Sequence, residues 1–111
     1  VTTSGDFDVQ VETLPTGTSV IRVAGEVDLA TAPRLEEAIS TVQPASHLVI
    51  DLLDCTFLDS SGVRLLASAG RAASEGGRVR LVAVDPGVLR VLEISGIDTI
   101  LEIHPSLETA L

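Results

Sequence analysis

An α/β fold with a mixed β-sheet is what this sequence predicts, and three observations carry the prediction. Two half-apolar runs flank the turn residues Pro15-Thr16-Gly17-Thr18, which makes an antiparallel hairpin at the start of the chain. The stretch from His47 to Leu53 is apolar at almost every position, as a central strand covered on both faces must be. Strand-like and helix-like segments then alternate, the order that gives later strands running parallel with α-helices packed on them. The 111 residues, 45% of them hydrophobic, are enough for one core, so residues 1–111 are expected to form a single domain, with 1–5 disordered.

Each element has a local reason. In Phe7 to Leu14 the residues Phe7, Val9 and Val11 share one parity while Asp8, Gln10 and Glu12 share the other, a half-exposed strand. Ser19 to Ala24 continues the hairpin with Val20, Ile21 and Val23, and the hairpin is expected at a sheet edge. Thr31-Ala32-Pro33 begins a helix, with Glu36 and Glu37 expected near the positive end of its dipole and Leu35, Ala38, Ile39 and Val42 on its apolar stripe. Pro44 is expected to end it. After the central strand a second helix runs from Val63, where Arg64, Ser68, Arg71 and Glu75 form a narrow polar stripe on a helix that otherwise wants covering. Gly76-Gly77 reads as its C-cap. Val79 to Val84 is a buried strand, Asp85-Pro86-Gly87 opens a short helix that Gly96 stops, Thr99 to Ile103 is a last strand, and Pro105 to Leu111 starts a terminal helix.

The charge balance narrows the partners. Sixteen acidic residues face seven basic ones, all of them Arg, for a formal net charge of -9. Nucleic acid and an anionic membrane are therefore unsuited as ligands. The apolar runs fall short of the roughly 18 residues of a spanning helix and no signal peptide opens the chain, so a cytoplasmic location is expected. The lone Cys55 lies among apolar neighbours and reads as a core residue rather than a reactive thiol. The absence of Met at position 1 is read as loss of the first residues by processing or trimming.

Asp59-Ser60-Ser61-Gly62 is the stretch that can carry function. It joins the central strand to the second helix, so its carboxylate and hydroxyls meet the free N–H groups of a helix start. The plain role for Ser60 or Ser61 is an N-cap. A hydrolase would need a base, but His47 begins the central strand, at the opposite end from Ser60, and no Gly-x-Ser-x-Gly elbow exists. Asp28, Asp51, Asp54 and Asp59 suit a hard cation such as Mg2+, though three loop caps and a strand residue explain them equally well. A glycine loop with Lys for phosphates is absent. The expectation is a protein that is not an enzyme and carries no cofactor, but that can be a substrate, with Ser60 exposed on its turn and Gly62 keeping the backbone accessible.

Gly25-Glu26-Val27-Asp28 with Pro33-x-Leu35, the Asp51-Leu52 strand, Phe57-Leu58-Asp59-Ser60-Ser61-Gly62-Val63, and Leu92-x-Ile94-x-Gly96-Ile97-Asp98 together resemble a STAS domain, and more narrowly the bacterial anti-sigma factor antagonists. The resemblance implies phosphorylation at Ser60 by a partner that is both anti-sigma factor and Ser kinase, removal of the phosphate by a PP2C-type phosphatase, and binding of the unphosphorylated form to the anti-sigma factor, which frees the sigma factor. It also implies that Asp28 and Asp59 flank the serine. The partner surface is then expected to include Asp28, Asp59, Ser60, Ser61 and Gly62, with Arg64 and Arg71 on the helix. Asp54-Cys55 and the missing Lys residues depart from the family's usual pattern. The same fold also serves as a STAS subunit of a lipid-transport ABC system or of a stress-signalling scaffold.

Overall fold

The computed structural model describes residues 7–42, 47–73 and 78–111. Expectations for residues 1–5, Pro44, Glu75 and Gly76-Gly77 fall outside these. The described residues build a five-stranded sheet in the order β1 (Asp8–Thr13), β2 (Ser19–Val27), β3 (His47–Leu58), β4 (Arg78–Val82) and β5 (Glu102–His104). The β1–β2 pair is antiparallel and the other pairs are parallel, so the hairpin lies at the edge as expected. Three helices, α1 (Ala32–Ser40), α2 (Ser60–Ala72) and α3 (Pro86–Ile94), supply Leu35, Leu66 and Leu92 to the main core, against Ile21, Ile50 and Leu81 of the sheet. The short α4 (Leu107–Ala110) joins a separate cluster, with Ala110 on Val20, Val49 and Val82. Alternation places these valines on the opposite sheet face.

The central strand is longer than the apolar run from His47 to Leu53 predicts, and the reason is physical. From Leu48 to Leu52 its residues are buried on both faces; beyond that, burial recurs only at Cys55 and Leu58. Two register shifts against β2, between Arg22 and Ala24 and between Gly25 and Glu26, each give β3 one extra residue. Such bulges break a period of two and bend the strand. Asp51 bridges the first irregularity: its Oδ1 accepts the Leu53 N–H at 2.9 Å, and Arg22 Nε lies 4.0 Å from its other oxygen. A buried carboxylate in a central strand is thereby partnered. At the second, Gly25 has a φ of 93°, a conformation that glycine adopts without a Cβ penalty. β3 pairs with β4 only as far as Asp51, yet pairs with β2 to Leu58. The β2–β3 pair thus carries the following turn past the last β4 pairing.

Three sequence expectations are revised. The first turn of α1 contains no acidic residue, because the helix starts at Ala32 and Glu36 and Glu37 fall in its second turn. Helix α2 starts at Ser60 rather than Val63 and is covered on one side only: Gly62, Leu66 and Ala69 are buried, while Arg64, Ser68, Arg71 and Ala72 are exposed. Between Gly96 and β5 the chain forms a 3₁₀ turn, Ile97–Thr99, which shortens the last strand to Glu102–His104.

Leu66 is fully buried between α2 and the sheet. Leu66→Ala should lower unfolding stability by about 2–5 kcal/mol, read from urea denaturation; a smaller loss would mean that α2 is not anchored through this side chain.

Candidate functional site: the turn between β3 and α2

The parallel strands β2, β3 and β4 all deliver their C-terminal ends to one edge, and three aspartates organise the chain there. After β2, Asp28 Oδ1 accepts the N–H groups of Ala30 and Thr31 at 3.0 and 3.1 Å, and the Thr31 hydroxyl donates to the Glu26 carbonyl at 2.7 Å. After β3, Asp59 caps α2, its Oδ1 accepting from Ser61 N at 2.8 Å and Gly62 N at 3.4 Å. After β4, Asp85 caps α3 through Val88 N at 3.0 Å. Asp59 and Asp85 meet N–H groups that a helix start would otherwise leave unpaired, while Asp28 folds the loop ahead of α1, whose N-cap Thr31 makes no side-chain cap bond.

The cap assignment differs from the one anticipated for the serines. Asp59 is the N-cap, so Ser60 is the first helical residue and Ser61 the second. Ser60 is exposed, and its hydroxyl makes no hydrogen bond among the described residues. Ser61 is half-buried. Because an aspartate replaces serine in the capping role, the Ser60 hydroxyl is left available at the positive end of a helix.

Gly62 does something other than keep backbone open to a partner: it is buried. A Cβ at this position would run into Leu58 Cδ1 and come within 2.8 Å of Val27 Cγ1, and both residues are themselves buried. Glycine lets the first turn of α2 close onto the ends of β2 and β3. The backbone bond from Asp59 N to the Val27 carbonyl, 3.1 Å, ties the turn to β2, and Asp28 follows Val27 directly. Adjacent strands lie about 4.8 Å apart, so Asp28 and Asp59 emerge side by side at this edge.

The anticipated cations are spread along the helix. Arg64 and Arg71 are both exposed, about 6 Å and 16 Å along the axis from Ser60 at 1.5 Å per residue. Arg64 thus belongs to the turn's neighbourhood and Arg71 lies at the far end of α2. The four aspartates considered for a cation do not gather: among the described residues no group of three or more His, Cys, Asp or Glu side chains forms a metal site. Asp28 and Asp59 are engaged with backbone N–H groups, and Asp51 and Asp54 lie within β3. His47 opens β3 and Ser60 follows its end, about 40 Å along the chain at the rise of a strand, too far for an imidazole to act on the hydroxyl. His104 is bound to Glu102 at 3.0 Å on β5. Cys55 is buried, and desolvation pushes its thiol up, with its Sγ donating to the Phe57 carbonyl at 3.2 Å.

Sequence reasoning missed the apolar part of this edge. Leu29 is 79% exposed in the loop after β2, Phe57 is 48% exposed opposite Glu26, and Val84 is 48% exposed just before Asp85. Their signal was present as large apolar residues beside aspartates, but Val84 was read as part of the buried strand Val79 to Val84, and Phe57 lay beyond the strand read as ending at Leu53. Exposed apolar side chains grouped near one edge are the usual mark of an interaction surface.

The family described as "Mlab, STAS domain" matches residues 12–103. Over 97 residues the chain is 34% identical to the anti-sigma-F factor antagonist RsfB of Mycobacterium tuberculosis, spanning 86% of this chain and 80% of that protein. The crystal structure of an anti-sigma factor antagonist from Mycobacterium paratuberculosis superposes with a TM-score of 0.86 at 35% identity, covering 94% of this chain and 90% of that one. SpoIIAA, an anti-sigma factor antagonist and Bacillus cell fate determinant, is similar both unphosphorylated (TM-score 0.75, 27% identity, 92% of each chain) and phosphorylated (0.69, 26%, 92% of this chain and 96% of that one).

The capping assignment is directly measurable. Asp59→Ala should cost about 1 kcal/mol of stability in urea denaturation, whereas Ser60→Ala should cost less than about 0.5 kcal/mol. The reverse order would make Ser60 the cap.

Proposed function

The chain belongs to the STAS domain family, and on that premise we propose that it is an anti-sigma factor antagonist whose binding is switched off by phosphorylation of Ser60. The observation that carries the switch is the division of roles in the turn: Asp59 caps α2 and leaves the Ser60 hydroxyl exposed at the first helical position. Support for the role comes from relatives named as antagonists that match over most of their length. The partner is an anti-sigma factor with Ser kinase activity, and a PP2C-type phosphatase resets the serine. The location is cytoplasmic; among the described residues no helix is long and apolar enough to cross a membrane.

The chemistry of the switch follows from where the phosphate lands. Phosphorylation adds about 1.5 to 2 negative charges. The helix dipole favours an anion at the start of α2, where Asp59 already takes the Ser61 and Gly62 N–H groups, so the fold accepts it. Asp28 and Asp59 already hold negative charge at the same edge, and the exposed apolar surface of Leu29 and Phe57 lies there too. A partner that covers Leu29, Phe57 and the Ser60 turn must desolvate whatever sits on Ser60. A hydroxyl costs little there and a dianion costs several kcal/mol. The surface for the partner comprises Asp28, Asp59, Ser60, Ser61 and Arg64, with Gly62 acting from beneath by shaping the turn and Arg71 at the periphery.

Ser60→Asp should weaken binding to the anti-sigma factor by about tenfold or more, 1.4 kcal/mol, while the melting temperature stays within a few degrees. Unchanged binding, or an unfolded variant, would contradict the proposal. Ser60→Ala should still bind but take up no phosphate from the cognate kinase, as read by mass spectrometry; phosphate on Ser61 would reassign the switch. Phe57→Ala should weaken the same complex by about 1 kcal/mol or more in calorimetry if its exposed ring is buried by the partner.

A further inference from the structure

The loop that joins β2 to α1 presents Leu29, the most exposed large apolar side chain among the described residues. The backbone that carries it is tied from both sides. Asp28 Oδ1 accepts from Ala30 N and Thr31 N at 3.0 and 3.1 Å, and the Asp28 carbonyl accepts from Ala32 N at 2.8 Å. The Thr31 hydroxyl accepts from Asp28 N at 3.0 Å and donates to the Glu26 carbonyl at 2.7 Å. Val27 before the loop and Ala32 after it are buried, so both of its ends are also fixed to the core. Leu29 stands on a closed set of hydrogen bonds with its side chain outside.

Thr31 holds this loop in place of its usual role. It is the N-cap of α1, a position where threonine ordinarily accepts an N–H of the first turn. Here its backbone is already in the helical region, with φ −99° and ψ −20°, and its hydroxyl makes no cap bond. The helix start does not require one. Pro33 has no N–H, and Ala32 N and Arg34 N reach the carbonyls of Asp28 and Thr31 at 2.8 and 2.9 Å. The hydroxyl is thereby free to turn back onto the loop.

The loop is continuous with the surface assigned above to the partner. The Val27 carbonyl accepts from Asp59 N at 3.1 Å, so the chain leaves β2 beside the Ser60 turn, and Glu26 is paired with the exposed Phe57. A leucine on a free loop loses backbone freedom when a partner covers it, whereas a leucine on a tied loop has lost that freedom during folding. We propose that Leu29 is a preset anchor that enters an apolar pocket of the anti-sigma factor, and that Thr31, which does not touch the partner, is the positioning residue that holds it ready. This inference rests on the antagonist reading and adds to it a residue that sets affinity separately from the Ser60 switch.

A double-mutant cycle tests it, read by calorimetric titration of the unphosphorylated full chain with the cognate anti-sigma factor. Leu29→Ala should weaken binding about tenfold and Thr31→Val about threefold. Thr31→Ser keeps the hydroxyl and should bind like the parent chain. In the Leu29→Ala background Thr31→Val should cost nothing further, because its effect passes through Leu29, whereas a general loss of structure would weaken both backgrounds equally. Val11→Ala, at an exposed valine on β1, should leave binding unchanged. Parent-like binding by Leu29→Ala, equal losses from Thr31→Val in the two backgrounds, or no rescue by Thr31→Ser would overturn the inference, and the antagonist reading would still stand if Ser60→Asp weakens the complex. Failure of the parent chain to bind the anti-sigma factor would overturn both.

Discussion

The bond from the Asp59 carboxylate to the first N–H groups of α2 is the interaction on which the functional end of this molecule depends. It satisfies backbone donors at 2.8 and 3.4 Å, starts the helix at the first serine, and leaves that serine's hydroxyl outside the cap. The cap works only because the helix can come close to the sheet. Gly62 permits that approach against Val27 and Leu58, and the Asp59 N–H bond to the Val27 carbonyl ties the turn to β2. A side chain at position 62 would push α2 outward and stretch both connections. Cap, glycine and strand end therefore form one unit.

That unit gives a small acidic protein a way to use negative charge without being destabilised by it. Carboxylates at helix starts are favourable because unpaired N–H groups and the dipole point at them. Asp59 and Asp85 share this arrangement, and Asp28 accepts loop N–H groups at the end of the neighbouring strand β2. A phosphate on Ser60 is an addition of the same kind, tolerated by the isolated domain and costly only when a partner removes water from it. Exposed Leu29 and Phe57 supply the apolar surface that such a partner would cover, so affinity and its control sit within one loop cluster.

Much of this was legible in the sequence. The hairpin, the buried central strand, the alternation of strands and helices and the Asp-Ser-Ser-Gly turn all follow from local patterns, and the sheet has the predicted mixed pairing. The extent of β3 was not legible, because two bulges against β2 replace a period of two with burial at Leu52, Cys55 and Leu58. The same irregularity hid the exposure of Phe57. Ser and Asp are both good capping residues, so sequence alone left the cap open among neighbours; backbone geometry chose Asp59. Gly62 read as an accessible residue because a glycine's missing side chain says nothing about which neighbour needs the space.

The central claim is that a phosphate on Ser60 is accepted by the start of α2 and acts at the interface. Hydrogen exchange of the chain phosphorylated at Ser60, measured amide by amide against the unmodified chain, tests it most directly. The account predicts unchanged or slower exchange through α2 and the paired ends of β2 and β3, with differences centred on Ser60, Ser61 and Gly62. Loss of protection along α2 or β3 would contradict it, because the phosphate would then act by loosening the fold.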